Sequence, residues 1–544
     1  MTTTLYRRGR VRTPADPFAT ALLVDGATVV WVGQEAAADA LSPDRTIDLQ
    51  DGWLAPAFVD AHVHATSTGL ALTGLDLTGS RTLAEALRRV EGAARRTRGG
   101  AVLGTGWDET GWPERRPPTA RELDRASYGG VVYLARTDVH SAVASSALLA
   151  ACPEAAGLPG FLPDGLVRQQ AHHVVRRTAL AAVTSAQRRA AQRATLDRVA
   201  SLGIACVHEC AGPDISGEDD LRDLLVMEHG VERIGYWGEL DGIQRARDLG
   251  AVGAAGDLFA DGALGSRTAC LLTPYADAAD AAGAERPGGI PAAGSCGHAY
   301  LTVADVARHV AGCTRAGLQA GFHAIGDAAL QVVVDGLAQA ADEVGLEVLR
   351  SARHRVEHAE LLTAAQIAAL AAAGVVASVQ PAFDARWGGP DGMYVERLGA
   401  ERAAGMNPFA AMAAAGLALA LGSDAPVTPL DPWGTLRAAV GHRTAGAGLS
   451  ARAAFAAHTR GGWRAARRDD EGELVPGAPA TFAVWRVEGE LVVQIPDDRV
   501  AGWSTDARAG VAGLPDLAGP DPVCALTVVA GVAAFDAEGH QPAG

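Results

Sequence analysis

The chain of 544 residues contains no lysine, and all 47 of its positive side chains are arginine. No lysine side chain can therefore take part in any site of this protein. Cysteine is scarce too: the seven cysteines show no disulfide-framework spacing, so free thiols in a reducing compartment are expected. No apolar run approaches the length of a membrane span, and residues 1–14 lack the apolar segment of a secretory signal. We therefore expect a cytoplasmic protein.

The charge balance narrows the range of partners. A net charge of -16 and a pI near 5.4 argue against nucleic acid or an anionic membrane surface as the main partner. Hydrophobic residues make up 48% of the chain and charged residues 20%, which is ordinary for a globular protein with a large core. The length predicts one large domain with an accessory one.

Apolar strand-like runs alternate with alanine-rich, helix-periodic stretches, which is typical of a parallel sheet with crossover helices. Eight such runs predict an α/β fold of the (β/α)₈ TIM-barrel class. The predicted strands are Trp53 to His64, Gly203 to Cys210, Arg233 to Trp237, Asp257 to Ala263, Gln319 to Ala324, Arg353 to His358, Val375 to Pro381, and Leu417 to Asp424.

The two ends of the chain have a different residue pattern, with short runs of alternating apolar and polar residues and an Asp-Gly turn signal. We predict that residues 1–55 and 461–544 complete one β-sandwich, the later part contributing strands near 481–487, 491–493 and 526–529. Residues 56–460 then form the barrel domain. The gap at about 65–200 exceeds normal loop lengths, so it must hold structure of its own, and an inserted lid subdomain is expected there.

A pair of histidines closes the first predicted strand. His62 and His64 are two residues apart in an extended segment, so their side chains share a face. Two neutral imidazoles on one face form half of a zinc-type site. We therefore expect the remaining ligands downstream.

Polar residues also close several other strands that are otherwise apolar. In a barrel of this class the chemistry gathers at the carboxyl ends of the strands. A lone buried histidine is usually a structural residue, but an ordered series across separate strands favours a metal site. The series after the histidine pair is Asp257 or Asp261, His323, His358 and Asp424.

These motifs resemble the amidohydrolase superfamily, in particular its YtcJ-like branch of the N-substituted formamide deformylase type. The resemblance spans about residues 1–480. The matching segments are 59–64 (VDAHVH), 106–109 (GWDE) with 116–119 (RPPT), 261–268 (DGALGSRT), 323–327 (HAIGD), 355–359 (RVEHA) and 422–426 (GSDAP). Together these motifs are highly specific, whereas the histidine pair alone is weak.

The resemblance implies a metal-dependent hydrolase that acts on an amide-like C–N bond. By family position, His62, His64, His323 and Asp424 hold the first metal, and His358 binds a second metal or contacts the substrate. A divalent ion lowers the pKa of bound water to about 7, and Asp424 can take the proton and pass it to the leaving amine. A homodimer is a family-level expectation.

The sequence departs from this family where many relatives have a carboxylated lysine that bridges two metals. Asp257 occupies that position here. Either its shorter carboxylate bridges two ions or the site holds one. We expect one tightly held zinc ion with a second weak or absent, iron and manganese being the alternatives.

Four residues are weaker candidates for substrate binding. Trp107 and Asp108 either cover the bound substrate or hold the inserted segment together through structural contacts. His140 either reaches the pocket or is a hydrogen-bonded surface histidine. Arg267 either binds an anionic group of the substrate or pairs with a carboxylate such as Asp261 or Asp327. The residues themselves do not decide between these roles.

Two other functions compete with amide hydrolysis. A ring-amidine deaminase uses one metal in the same superfamily, but it needs a glutamate near the fifth strand, and the segment after His323 offers only Asp327. A catalytically silent barrel used for binding is the other alternative, since a fold can persist without its chemistry.

Overall fold

The computed structural model describes residues 2–136, 141–213, 215–265, 267–277, 296–494, 503–504 and 513–540. Among these, the chain divides into two compact units, one formed by residues 65–195 and the other by the remainder. In the part of the chain that is described, no helix is both long and apolar enough to cross a membrane.

The larger unit contains an eight-stranded parallel sheet whose order follows the sequence. Its two edge strands meet through a parallel bridge between Val63 and Ala425, which closes the sheet into the predicted barrel. The strands are β1 (Phe58–Val63), β2 (Ile204–Ala211), β3 (Glu232–Trp237), β4 (Gly253–Ala254), β5 (Gln319–Ala324), β6 (Arg355–His358), β7 (Val376–Val379) and β8 (Ala418–Leu421).

Helices follow the strands along the chain. Threonine caps begin two of them: Thr302 and Thr363 each accept a hydrogen bond from the backbone N–H three residues on, which satisfies one free donor of the first turn. The helices of this unit are Glu35–Ala38, Glu218–Val226, Ile243–Leu249, Val303–Ala316, Asp327–Val344, Leu346–Ala352, Ala364–Ala372, Pro381–Trp387, Met393–Leu398, Ala400–Ala403, Phe409–Ala414, Pro432–Val440, Ala451–Ala457 and Arg460–Ala465.

Two predicted strands were wrong in extent. The run from Trp53 to His64 is broken at Ala57, and its first part, Trp53–Pro56, belongs to another sheet. The fourth barrel strand is not 257–263 but the two-residue β4, because the backbone turns at Gly256, where φ is +89°. Beyond that turn only Phe259 pairs again with β5, through a single bridge to His323.

The two ends of the chain build the predicted β-sandwich, and the fold class is confirmed. Side chains from both sheets share one core, in which Tyr6, Leu22, Phe482 and Leu526 are buried. One sheet contains Thr28–Gly33, Ala21–Asp25, Thr3–Arg7 and Arg45–Asp48; the other contains Arg10–Val11, Trp53–Pro56, Phe482–Arg486, Val523–Val529 and Val532–Asp536.

One run predicted for this sandwich lies elsewhere. The strand Leu491–Gln494 pairs with Trp503–Ser504 and Leu514–Pro515 in a separate three-stranded sheet.

The second unit has a five-stranded mixed sheet with an apolar cluster on each face. Alternate residues of one strand separate to the two faces: Leu134 belongs to one cluster and Tyr133 to the other. Its strands are Leu75–Asp76, Val102–Trp107, Val132–Arg136, Ser141–Ala144 and Leu166–Arg168, and its helices are Ala65–Thr73, Leu83–Thr97, Ala120–Ala126, Ser146–Ala150 and Gln169–Ala181, with 3₁₀ turns at Glu109–Gly111 and Pro153–Gly157. The helix Ser185–Ser201 begins in this unit and crosses the boundary at residue 195. The expected lid role of this insertion and the domain boundaries stay predictions.

A buried histidine beside the barrel makes the stability of the fold depend on pH. Nδ1 of His354 accepts the backbone N–H of Ala320 at 2.9 Å and Nε2 lies 2.8 Å from the Thr314 hydroxyl. Burial lowers the pKa of His354 to about 3. The ring is therefore neutral in the folded protein at pH values where an exposed histidine takes up a proton.

We expect this group to reduce the free energy of unfolding as the pH falls from about 6.5 towards 4, because only the unfolded state then binds the extra proton. One such group contributes a slope of about 1.4 kcal/mol per pH unit. Urea unfolding between pH 7.5 and 5 should show a shallower slope for His354→Gln than for the wild type. Parallel curves for the two proteins would contradict this assignment.

Candidate metal centre

Two histidines lie side by side where β1 ends. His62 is within β1 and His64 follows its last residue. Their ring centroids are 5.3 Å apart. Nε2 of His62 and Nε2 of His64 lie 3.6 and 3.1 Å from the same oxygen, Oδ1 of Asp424. Both imidazoles therefore present the same nitrogen to one carboxylate.

Asp257 lies between the imidazoles of four histidines. Its Oδ2 is 3.2 Å from Nε2 of His64, and its Oδ1 is 3.5 Å from Nε2 of His62. The same Oδ1 is 3.7 Å from Nδ1 of His323 and 3.7 Å from Nε2 of His358. A single buried carboxylate thus connects side chains that come from three barrel strands.

His323 and His358 are each oriented by a second partner. Nε2 of His323 donates to the carbonyl oxygen of Gly262 at 3.3 Å, and Nδ1 of His358 donates to Oε1 of Gln380 at 2.8 Å. In the neutral rings, the nitrogens that face Asp257 therefore carry lone pairs. Sequence analysis did not identify Gln380 as a partner.

The backbone at His358 is in an unusual conformation. Alternation along β6 would point its side chain away from that of Glu357, but the φ angle of His358 is +69° and that of Ala359 is +50°. Left-handed conformations at residues other than glycine are costly and cluster at functional sites. This turn brings the imidazole back to the carboxyl end of the barrel.

Asp424 follows β8 and is held against β1. Its backbone N–H donates to the carbonyl oxygen of His62 at 2.8 Å, and its φ angle is +52°. The neighbouring Ser423 donates its backbone N–H to the buried carboxylate of Asp60 at 2.9 Å. The contacts that close the barrel therefore also place the Asp424 carboxylate beside the histidine pair.

The charges of the cluster favour a cation. Burial alone would lower the pKa of His64, but hydrogen bonds that the protonated ring donates to Asp257 and Asp424 outweigh it and raise that pKa to about 10. Burial would likewise raise the pKa of Asp424, yet the charges of His62 and His64 hold it below its usual value. The site is thus rich in negative charge and binds a positive one.

The donor atoms fit a divalent metal ion. Buried Nε2 of His62 and Oδ1 of Asp257 have no hydrogen-bond partner within the described ranges. Ligands about 2 Å from a tetrahedral ion lie about 3.3 Å apart, and the distances given above are 3.1 to 3.7 Å. Two groups of convergent donors can be distinguished: His62, His64 and Asp424; and His62, Asp257 and His358.

A third group of donors, formed by His62, Cys210 and Glu357, is less suited to a metal. Glu357 already accepts a hydrogen bond from Nδ1 of His62 at 3.0 Å. Burial raises the pKa of Cys210 to about 12, so its sulfur remains a thiol.

The residues predicted to bind substrate lie in several places. In the smaller unit, Trp107 is buried and its indole N–H donates to the carbonyl oxygen of Leu134 at 2.8 Å, while Asp108 is 3.1 Å from the guanidinium of Arg136. His140 lies outside the described residues. The substrate roles of these three residues stay predictions.

Arg267 is in the larger unit, in the segment after β4. Its Nε is 3.1 Å from both carboxylate oxygens of Asp277, rather than near the two acids considered above. Its proposed contact with substrate also stays a prediction.

A parallel eight-stranded barrel with histidines and aspartates at the carboxyl ends of its strands defines the class of barrel metal-dependent hydrolases. A family model described as "Amidohydrolase family" matches residues 45–535. The chain belongs to the amidohydrolase family.

Relatives support this membership. The chain is 26% identical over 462 residues to the protein LONG AFTER FAR-RED 3 of Arabidopsis thaliana, covering 78% of this chain and 75% of that one. It is 26% identical over 435 residues to the putative amidohydrolase YtcJ of Bacillus subtilis, covering 73% and 75%. A crystal structure of an uncharacterized metal-dependent hydrolase from Pyrococcus furiosus superposes with a TM-score of 0.73 at 25% identity, covering 89% of this chain and 98% of that one. The predicted resemblance to the YtcJ-like branch is confirmed.

The position of Asp257 predicts that it contributes to metal affinity. We expect Asp257→Asn to weaken Zn²⁺ binding at least tenfold, because the neutral amide removes a charge that contacts all four imidazoles. Competition with a chromogenic chelator measures the dissociation constant directly.

Glu471→Gln is the matched control, since this buried carboxylate pairs with Arg468, and Arg468 also binds Glu232 at the amino-terminal end of β3. Equal zinc affinity in the Asp257 variant and the wild type would show that Asp257 does not contribute to metal binding.

Proposed function

We propose that this protein hydrolyses an amide-type C–N bond in a small molecule, with an N-substituted formamide or a related amide as the expected substrate class. The observation that carries the proposal is the convergence of four imidazoles and two carboxylates at the end of the barrel. The cluster combines a cation site with a carboxylate free to move a proton. It consists of His62, His64, His323, His358, Asp257 and Asp424.

Zinc is the ion that the donor set favours, with iron and manganese as alternatives, because imidazole and carboxylate suit all three. We propose that His62, His64 and Asp424 hold the principal ion; His323, which the family resemblance also assigns to this ion, faces Oδ1 of Asp257 together with His358. His323 and His358 flank the other side of Asp257 and would hold a second, weaker ion. A divalent ion in such a site lowers the pKa of bound water to about 7 and polarises a carbonyl oxygen.

Asp424 moves the proton in this proposal. Its carboxylate is ionised at neutral pH, since its pKa is held below the usual value, so it can accept a proton from the attacking water. It then gives that proton to the amide nitrogen, the C–N bond breaks, and the products are a carboxylate and an amine. Its Oδ1 lies 3.1 Å from Nε2 of His64 and 3.6 Å from Nε2 of His62, the residue that the two groups of donors share.

His358 is the candidate for the substrate carbonyl. Its ring is fixed by Gln380 and by stacking on Phe383, whose ring centroid lies 5.9 Å away at an interplanar angle of 14°. If only one ion is bound, donation from Nε2 to the developing oxyanion requires the doubly protonated ring, because Nδ1 already donates its hydrogen to Gln380. The cytoplasmic location and the homodimer stay predictions.

The proposal predicts release of a primary amine from an N-alkyl formamide, loss of that activity after chelation, and its return with Zn²⁺.

Asp424→Asn should lower kcat by about 10²- to 10⁴-fold, which is the usual contribution of a positioned general base. Amine release is followed with a fluorogenic amine reagent, and Glu471→Gln should keep wild-type activity.

A parallel assay separates the competing functions. Ammonia release from a ring amidine, without amine release from amides, would show a deaminase instead. A protein that binds metal but turns over neither class would support a binding role.

A further inference from the structure

The nitrogen of His62 that faces away from the metal cluster has a single carboxylate partner. Nδ1 of His62 lies 3.0 Å from Oε2 of Glu357, and both side chains are fully buried. Glu357 is in β6, two residues after Arg355, so both project from the same face of that strand. Two opposite charges two residues apart in a fully buried strand are unusual, because buried charges must be paired.

The charge state of Glu357 determines where the proton of His62 resides. Both oxygens of Glu357 accept hydrogen bonds from the permanently charged guanidinium of Arg355, which fixes Glu357 as a carboxylate. A carboxylate can only accept hydrogen bonds. Nδ1 of His62 must therefore carry the hydrogen, which leaves the lone pair of the neutral ring on Nε2, towards Asp257 and Asp424.

Arg355 holds Glu357 in place through contacts that leave it little freedom. Its guanidinium donates to both oxygens of Glu357, at 2.8 and 3.0 Å, and to the carbonyl oxygen of Ala61 at 2.8 Å. A third branch contacts Nδ1 of His208 at 2.9 Å, and the group lies 4.3 Å from the ring centroid of Tyr236. The arginine thus connects β6 with β1, the strand that carries His62.

We propose that Glu357, with Arg355 as its counter-charge, is a positioning residue that sets the tautomer and ring angle of His62 and so determines how tightly the metal is held. The inference rests on the proposed metal site. Carboxylates that orient ligating histidines typically contribute 10- to 100-fold to metal affinity. Neither Glu357 nor Arg355 needs to touch metal or substrate for this role.

The test is Glu357→Gln, which keeps the size of the side chain but removes its charge and allows it to donate as well as accept. We expect the dissociation constant for Zn²⁺ to rise about 10- to 100-fold. The visible absorption spectrum of the Co²⁺-loaded protein should also change, because it reports the geometry of the ligands. Glu471→Gln loses a buried, arginine-paired carboxylate elsewhere and should leave both readouts unchanged.

A second variant tests whether weaker metal binding results from misfolding. Glu357→Gln leaves the buried Arg355 charge without its acid, which is destabilising in itself. The double variant Arg355→Met/Glu357→Gln removes both charges, and its folding is checked by circular dichroism and urea unfolding. Weak zinc binding by this folded protein supports the proposal, and wild-type binding overturns it.

The outcomes separate this inference from the proposed function. If the wild-type protein binds neither Zn²⁺ nor Co²⁺, the metal-dependent function fails. If the wild type binds both ions, and Glu357→Gln binds them with the same affinity and the same Co²⁺ spectrum, only the positioning role fails.

Discussion

The carboxylate of Asp257, enclosed by four imidazoles, is the interaction on which the arrangement of the site depends. A buried charge is tolerated only when it is paired, and lone pairs of neutral rings do not compensate a carboxylate by themselves. Each of three rings has a further partner that fixes it: Glu357 for His62, Gly262 for His323 and Gln380 for His358. These outer partners point the inner nitrogens towards one small volume, where a cation would balance the excess of negative charge.

Closure of the barrel brings together residues from opposite ends of the catalytic domain. The bridge between Val63 and Ala425 joins the first and last strands, and the backbone of Asp424 donates to the carbonyl of His62 beside it. The fit is tight: a Cβ atom on Gly422 would lie 2.6 Å from the backbone nitrogen of His62. The register of this one contact therefore decides whether the histidine pair and the aspartate can share a ligand.

Much of the fold follows from local sequence signals. The limits of β5 match the run predicted from the sequence, and the histidines and Asp424 stand out because they lie at or near the ends of apolar runs. The hydrogen bond from His62 to Glu357 has no such signal, since it depends on the registers of strands on different sides of the barrel. The fourth strand was predicted in the wrong place because the prediction used apolar character alone. The residues after Gly256 are hydrophobic, but they do not continue the hydrogen-bond ladder of the barrel sheet.

The interruption after that strand determines where the carboxylate of Asp257 lies. The chain leaves β4 at Ala254, turns at Gly256, and re-pairs with β5 through hydrogen bonds between Leu258, Ala260 and His323, which leaves Asp257 in the interruption. Irregularities of this kind re-aim side chains next to active sites. The backbone of Asp257 also packs so closely against Gly238 that a Cβ atom there would lie 2.7 Å from its carbonyl carbon. The path of the backbone therefore places the Asp257 carboxylate among the four imidazoles, and any residue with a side chain in place of Gly238 would force the backbone at Asp257 to shift.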